Sequence, residues 1–365
     1  VHGTLGRQRR LLLTTDAVGG VWRYSLAITA GLTASGWHCT LATLGPSPGD
    51  HQRAEAAAIP GCTLVDTGLP LEWTARDAAA LTAAAHALGR LARDTGAETA
   101  HLHTPALAAF DWPVPVVAVA HSCVGTWWQA VHGTEVPDDF RWRMGLMAEG
   151  LRRAGAVIAP SQAMADALEA VYGADRRIDI VHNGLPSVRV APAVRERRVL
   201  AAGRLWDAGK NMAVLDAAAG LVGAPVHAAG PLRGPGDAHF APRHLNAVGN
   251  LSPAALRDAM ATASVFAAPS VYEPFGLAVL EAAQVATPLV LADNATFREL
   301  WTGAAIFVDS HDTEAWASAL RAVLDSPDDC AALGVRAQLR ARCYCANKMV
   351  RQTADIHTAA ALEKC

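Results

Sequence analysis

One pattern runs twice along this chain and constrains its fold more than any single motif: short apolar runs alternate with amphipathic stretches at helical spacing. Strands joined by crossovers long enough to carry a helix pair in parallel, so the pattern predicts two βαβ series and an α/β class. In the first half the predicted strands are 10–14, 38–44, 62–66, 99–103, 114–121, 156–160 and 178–182, with helices at 21–34, 77–93 and 162–172. The polar, proline-bearing stretch SVRVAPAVRER, 187–197, reads as a linker. The second series has predicted strands 199–202, 225–229, 246–248, 264–268, 288–292 and 305–308. Its helices fall at 210–221, 253–262, 276–285, 312–325 and 328–342, and 347–363 also reads as helix. With 365 residues the chain is long enough for two cores, expected over 1–188 and 192–345.

Composition excludes several classes of function. A net charge of −3 and the lack of a like-charge block give no footprint for nucleic acid. The cysteines at 39, 62, 123, 330, 343, 345 and 365 are scattered, without a C-x-x-C pair, so neither a disulfide framework nor a zinc knuckle is indicated. A reducing cytoplasm is the expected setting. The apolar run Leu11 to Leu13 is too short for a signal peptide, and no stretch is long enough to span a bilayer.

Ligands of open α/β sheets bind at the carboxyl ends of strands, so the first strand-to-helix turn of each half is the place to look. In DAVGGVW, Gly19 and Gly20 permit close backbone approach at a helix start, and a plain tight turn is the alternative. No G-x-G-x-x-G follows, and no acidic residue ends the second strand, which disfavours a nicotinamide cofactor. In the second half GRLWDAGKN approaches a phosphate-binding P-loop, but five residues separate Gly203 from Gly209, and Asn211 stands where Ser or Thr would hold magnesium. What is left is Arg204 and Lys210 bracketing one turn, either a diphosphate site or ordinary surface charge. Lysine occurs only three times in the chain, which weighs against the second choice.

Further on, PSVYEPFGLAVLEAAQVATPLVLAD carries Glu273 in a turn and Glu281 on an otherwise apolar helix. A carboxylate placed on such a helix needs a polar partner, and ligand hydroxyls or a structural cation would each serve.

The spacing of Glu273 and Glu281 around PFGL, preceded by NAVGNLSPAALRDAMATASVFAAPS, resembles the retaining glycosyltransferases of family 4, which have the GT-B fold. GRLWDAGKN resembles that family's Arg/Lys diphosphate motif, DAVGGVW its glycine loop, VAHS its active-site histidine, and IDIVHNGL the end of its first domain. The similarity covers nearly the whole chain in order; Ala286 departs from it, standing where glycine is common. The resemblance implies two Rossmann-like domains, a nucleotide-sugar donor in the cleft between them, and a final helix, about 346–365, returning to the first. It implies Glu281 on the ribose, Glu273 on the sugar hydroxyls, and backbone donors from Phe275, Gly276 and Leu277. Arg204 and Lys210 would stabilise the departing diphosphate with the amides of Gly19 and Gly20, and His121 would touch the sugar near its reactive carbon. A strand-end histidine packed on its neighbours is the other reading of His121. No cofactor beyond the donor is implied.

D-x-D, the usual signature of a magnesium-dependent transferase, is absent, so metal-independent transfer is expected. His101 and His103 point the same way from one strand but lack a third ligand for a metal. The segment after His121 holds Trp127, Trp128, Trp142, Arg141, Arg143, Arg152 and Arg153. Its tryptophans suit a sugar acceptor, its arginines suit anionic headgroups at the inner membrane face, and its helical apolar spacing suits a core. The acceptor, whether saccharide, lipid or small molecule, is not legible. A nucleotide-sugar epimerase would use the same donor groups without an acceptor, and a sensor would bind without turnover.

Overall fold

The structure, a computed structural model, describes residues 9–173, 176–188, 194–235 and 237–362. By its internal contacts the chain divides into two compact units, one from residues 1–129, 134–186 and 346–365, the other from 130–133 and 187–345.

The first unit runs β1 (Arg10–Asp16), α1 (Gly20–Ala34), β2 (His38–Leu44), α2 (Asp50–Ala57), β3 (Cys62–Leu69), α3 (Ala78–Asp94), β4 (Thr99–Leu102), β5 (Val116–Val119), α4 (Val124–His132), α5 (Arg141–Arg153), β6 (Ala156–Ala159), α6 (Gln162–Tyr172) and β7 (Asp179–Ile180). The second runs β8 (Glu196–Ala202), α7 (Met212–Val222), β9 (Val226–Ala229), β10 (Asn246–Gly249), α8 (Pro253–Thr262), β11 (Ala263–Ala268), α9 (Leu277–Gln284), β12 (Leu289–Ala292), α10 (Ala295–Trp301), β13 (Ile306–Val308), α11 (Thr313–Asp325) and α12 (Pro327–Ala341). The last helix, α13 (Ala346–Leu362), belongs to the first unit.

All strand pairs inside the two sheets are parallel. The sheet orders are β3-β2-β1-β4-β5-β6-β7 and β10-β9-β8-β11-β12-β13. Each therefore reverses direction of winding beside its first strand, between β1 and β4 and between β8 and β11, the doubly wound arrangement.

Burial on both faces explains why β1 reads RLLLTTD with no polar alternation. Leu12 faces a core built with Leu81, Leu88, Met147, Leu151 and Leu168. Leu11 and Leu13 face the opposite core, with Trp22, Ile28, Leu32 and residues Met349 and Val350 of α13. A glycine makes the approach of α13 to α1 possible: a Cβ at Gly31 would lie 2.5 Å from Val350 Cγ2. Helix starts follow local capping chemistry. Asp77 accepts from Ala80 N at 2.8 Å, Ser161 from Met164 N at 3.1 Å and Asp312 from Ala315 N at 2.9 Å.

Several elements differ from the sequence reading. Helix α2 has one buried residue, Ala56, so it carries no apolar stripe to betray it. Helix α10 buries Thr296, Phe297, Leu300 and Trp301 at i, i+4 spacing, but with seven residues it spans too few turns for that period to stand out in the sequence. Strand β8 begins at Glu196, inside the expected linker, because Glu196 pairs with Ala263 of β11, and Arg198 reaches Thr262 Oγ1 at 2.5 Å and Ala259 O at 3.3 Å. Residues 189–193 of that linker lie outside the described residues.

Two histidines sit fully buried in the first unit. His357 Nε2 meets His101 Nδ1 at 2.9 Å, and His357 Nδ1 meets Thr99 Oγ1 at 3.0 Å. Burial disfavours the charged ring, holding His101 well below the usual value and pushing His357 down to about 3. Such a depressed histidine contributes stability above its unfolded value near 6.5, and loses it as pH falls below that value, since the unfolded chain then binds the extra proton. Between pH 6.5 and 5 the unmodified protein should therefore lose about 2 kcal/mol relative to His357→Gln in denaturant unfolding. Parallel pH curves for the two proteins would contradict this.

The turn after α9 places Ala286 at φ 58. Left-handed backbone costs an L-residue about 1–2 kcal/mol, while glycine loses about 0.5–1 kcal/mol of chain entropy on folding. Ala286→Gly should stabilise the protein by about 0.5–1 kcal/mol in the same measurement, and a clear destabilisation would show that the alanine methyl contributes packing.

Candidate active site

The winding reversals put specific loops side by side. In the second unit the loop after β8 carries Arg204 and Lys210, and the loop after β11 carries Glu273. Residues 63 apart in sequence thereby meet: Lys210 Nζ donates to Glu273 Oε2 in a short, part-buried ion pair. Tyr272 N donates to Gly209 O at 3.2 Å, tying the two loops by backbone as well.

Asp207 and Asn211, which the sequence reading passed over as site residues, shape this loop. Asp207 Oδ1 accepts from Gly209 N at 2.9 Å, and its Oδ2 accepts from Arg204 Nη2 at 2.8 Å, so one buried carboxylate folds the turn and orients the guanidinium. Arg204 Nε is buried and has no acceptor among the described residues. Asn211 takes left-handed backbone at φ 51 and donates to Pro269 O at 3.2 Å and Ser310 O at 2.7 Å, stapling the ends of β8, β11 and β13. Its place in the rejected P-loop pattern is thus structural. Close backbone contact completes the turn, since a Cβ on Gly230 would lie 1.8 Å from Gly203 O.

Helix α9 starts after Gly276, whose φ of 91 suits glycine. The N–H groups of an α-helix's first turn lack intrahelical acceptors and favour negative charge, so Gly276 and Leu277 lie where backbone donors are useful. Phe275 is buried by its ring against Tyr344, centroids 5.6 Å apart, leaving only its backbone for a ligand role. Glu281 lies further along α9 and is part-buried rather than enclosed.

In the first unit the loop after β1 is folded by Asp16, whose Oδ1 accepts from Val18 N at 2.8 Å and Gly19 N at 3.2 Å. The amide of Gly19 is therefore engaged within the chain, and Gly20 opens α1. A Cβ on Gly19 would meet nothing within 4 Å, so open space faces this turn.

His121 follows β5 and sits beside His103, with His121 Nε2 at 3.1 Å from His103 Nδ1. His103 Nε2 in turn lies 2.8 Å from Ser25 Oγ. Burial pushes His121 down to about 3 and holds His103 well below the usual value, with His121 and His101 adding to the effect on His103. All are neutral at pH 7. His101 and His103 are thus spent on ring-to-ring and hydroxyl contacts, and among the described residues no group of three His, Cys, Asp or Glu is arranged to hold a metal ion.

Trp127 and Trp128 are part-buried with centroids 6.2 Å apart, and Trp128 Nε1 donates to Thr134 Oγ1 at 3.1 Å. The arginines nearby are paired inside the chain. Arg143 donates to Ala75 O at 2.5 Å, Arg141 meets Asp138 at 2.8 Å, Arg152 meets Glu149 at 2.6 Å, and Arg153 donates to Ala109 O at 3.1 Å. Of the apolar residues on this segment, Met147 and Leu151 are core. Among the described residues no helix is long and apolar enough to cross a membrane. Sequence reading also missed Glu72, just beyond β3, a buried carboxyl that burial pushes up to about 7 against the opposing pull of Arg143.

Comparison with known proteins bears on the family and the fold. Residues 18–189 match the family model described as Glycosyltransferase Family 4, and residues 235–340 match that described as Glycosyl transferases group 1. The D-inositol 3-phosphate glycosyltransferase of Rhodococcus erythropolis is 28% identical over 268 residues, covering 63% of this chain and 59% of that protein. That of Kineococcus radiotolerans is 33% identical over 121 residues, and the match spans 28% of its length. The glycogen synthase of Mycobacterium tuberculosis is 27% identical over 354 residues, covering 85% of this chain and 83% of that one. Among solved structures, sucrose-phosphate synthase from Thermosynechococcus elongatus superposes with a TM-score of 0.78 at 19% identity, covering 96% and 99% of the two chains. Anabaena HepE in complex with UDP-glucose gives a TM-score of 0.70 at 18% identity, covering 97% and 100%. With two parallel α/β sheets and both family models matched in chain order, the chain belongs to the family 4 type of GT-B glycosyltransferases.

Proposed function

We propose that the protein transfers a sugar from a nucleoside-diphosphate sugar to a hydroxyl-bearing acceptor, with retention at the anomeric carbon and without a metal ion. The observation that carries the reading is the grouping of Arg204, Lys210 and Glu273 at the winding reversal of the second unit, with the Arg204 side chain part-exposed. A diphosphate supplies a partner for the exposed part of that guanidinium and a second partner for Lys210. The similarity to a structure holding UDP-glucose supports the choice of donor.

Glu281 takes the ribose hydroxyls, and Glu273 the sugar hydroxyls, once Lys210 turns to phosphate. The first turn of α9 contributes amides of Gly276 and Leu277, with the backbone of Phe275 beside them. In the first unit Gly20 and His121 suit a phosphate and a sugar hydroxyl, whereas Gly19 shapes the loop, its amide already held by Asp16. As the bond from the anomeric carbon to the phosphate oxygen breaks, negative charge grows on the leaving diphosphate, and cations fixed in advance lower the barrier. The acceptor oxygen bonds to the same face of that carbon, and its proton passes to the departing phosphate oxygen. Trp127 and Trp128 suit an acceptor with a sugar-like face. An interface role for the arginines of α5 has less support, because each is paired within the chain.

Incubation with a panel of nucleotide sugars should release nucleoside diphosphate when an acceptor is present, and release should persist in excess chelator. Lys210→Ala should lower turnover about 10²- to 10³-fold, by analogy with removal of one oxyanion donor, and weaken ground-state donor binding far less. Epimerised donor without glycoside would show an epimerase, and binding without turnover would show a sensor. Activity abolished by chelator and restored by magnesium would overturn the metal-free mechanism.

A further inference from the structure

The histidines beside the sheet of the first unit are connected in an order that determines where their protons lie. Ser25 Oγ is 2.8 Å from Val21 O, and a carbonyl oxygen only accepts, so the single hydroxyl proton of Ser25 is committed there. Toward His103 Nε2, 2.8 Å away, the serine oxygen must then accept, which puts the His103 proton on Nε2. A neutral imidazole carries one N–H, so His103 Nδ1 is a bare acceptor. His121 Nε2 faces that nitrogen at 3.1 Å and must be the donor, which leaves Nδ1 as the acceptor of His121.

The packing holds this order in place. Beta strands β4 and β5 are parallel neighbours with His101 opposite Val117, so the residues just beyond their carboxyl ends, His103 and His121, emerge together. Tyr24 lies edge-on to both rings, with centroids 5.3 Å from His103 and 4.5 Å from His121. His103 N donates to Thr14 Oγ1 at 3.0 Å, anchoring its backbone to β1.

We propose that His103, anchored by Ser25, is a positioning residue that holds His121 in the Nε2–H tautomer and so presents Nδ1 as a hydrogen-bond acceptor for a donor-sugar hydroxyl. The tautomer follows from the contacts alone; its use in catalysis rests on the sugar-contacting role of His121 proposed above. The ligand class is correspondingly narrow: a group that donates a hydrogen bond, such as a sugar hydroxyl, and not one that only accepts.

Nuclear magnetic resonance of the full chain labelled with ¹⁵N-histidine reads which ring nitrogen carries the proton. In the unliganded protein at pH 7, His103 and His121 should both show protonated Nε2 and bare Nδ1. Ser25→Ala should turn both into tautomer mixtures and lower kcat/KM about tenfold, the cost of about 1.4 kcal/mol of lost orientation, with an unchanged melting temperature. His103→Leu should lose as much, while His103→Gln, which offers an amide oxygen toward His121 and an N–H toward Ser25, should recover most of the loss. A protonated Nδ1 on His121 in the unmodified protein would overturn the relay whatever the activity. The expected tautomer with kcat/KM unchanged in Ser25→Ala would overturn its catalytic part. Absence of any sugar transfer by the unmodified protein would instead count against the proposed function, a result the resonance measurement does not depend on.

Discussion

The ion pair between Lys210 and Glu273 is the contact around which the second unit organises its candidate site. Each charge is part-buried, and a charge withdrawn from water is costly unless it is paired, so in the unliganded protein each needs the other. The sheet order brings them together, the turn folded by Asp207 aims the neighbouring guanidinium, and the amide of Asn211 fixes the loops on which both depend. A diphosphate arriving here would compete with Glu273 for Lys210, and the released carboxylate would be left needing hydroxyl donors. A nucleoside-diphosphate sugar offers both groups in one molecule, so the resting pair and the loaded site satisfy the same electrostatic requirement in different ways.

The first unit solves the corresponding problem with neutral groups. Buried imidazoles cannot cheaply carry charge, and their protons are ordered by Ser25 and by one another. Neutral groups of this kind suit uncharged hydroxyls, whereas fixed cations such as those of the second unit suit an anionic ligand. The difference follows from which loops leave the two winding reversals: a glycine turn and histidines in one unit, and Arg204, Lys210 and Glu273 in the other.

Much of this was legible in the sequence because of how parallel sheets are buried. Strands such as β12 read as unbroken apolar runs, so the turns after the first strands stood out and drew attention to Gly20, Arg204 and Lys210, whereas His121 was singled out by the family resemblance. Legibility failed where pattern and burial part company or the element is short: α2 has almost no buried face, α10 is only seven residues long, and the charged start of β8 resembles a linker. It failed again for partnerships. Nothing local shows that Lys210 meets Glu273, that Asp16 takes the amide of Gly19, or that His357 reaches across 256 residues to His101. Such contacts depend on sheet order and helix return, which residue spacing does not encode.

If Lys210 is shared between Glu273 and a diphosphate, equilibrium binding of UDP to Glu273→Gln tests that sharing most directly. The amide cannot compete for the lysine as a carboxylate does, so the variant should bind UDP about tenfold more tightly than the unmodified protein, a gain of about 1.4 kcal/mol. Unchanged or weaker binding of UDP by Glu273→Gln, in a variant that melts at the normal temperature, would contradict the exchange and make the ion pair a structural feature apart from the donor site.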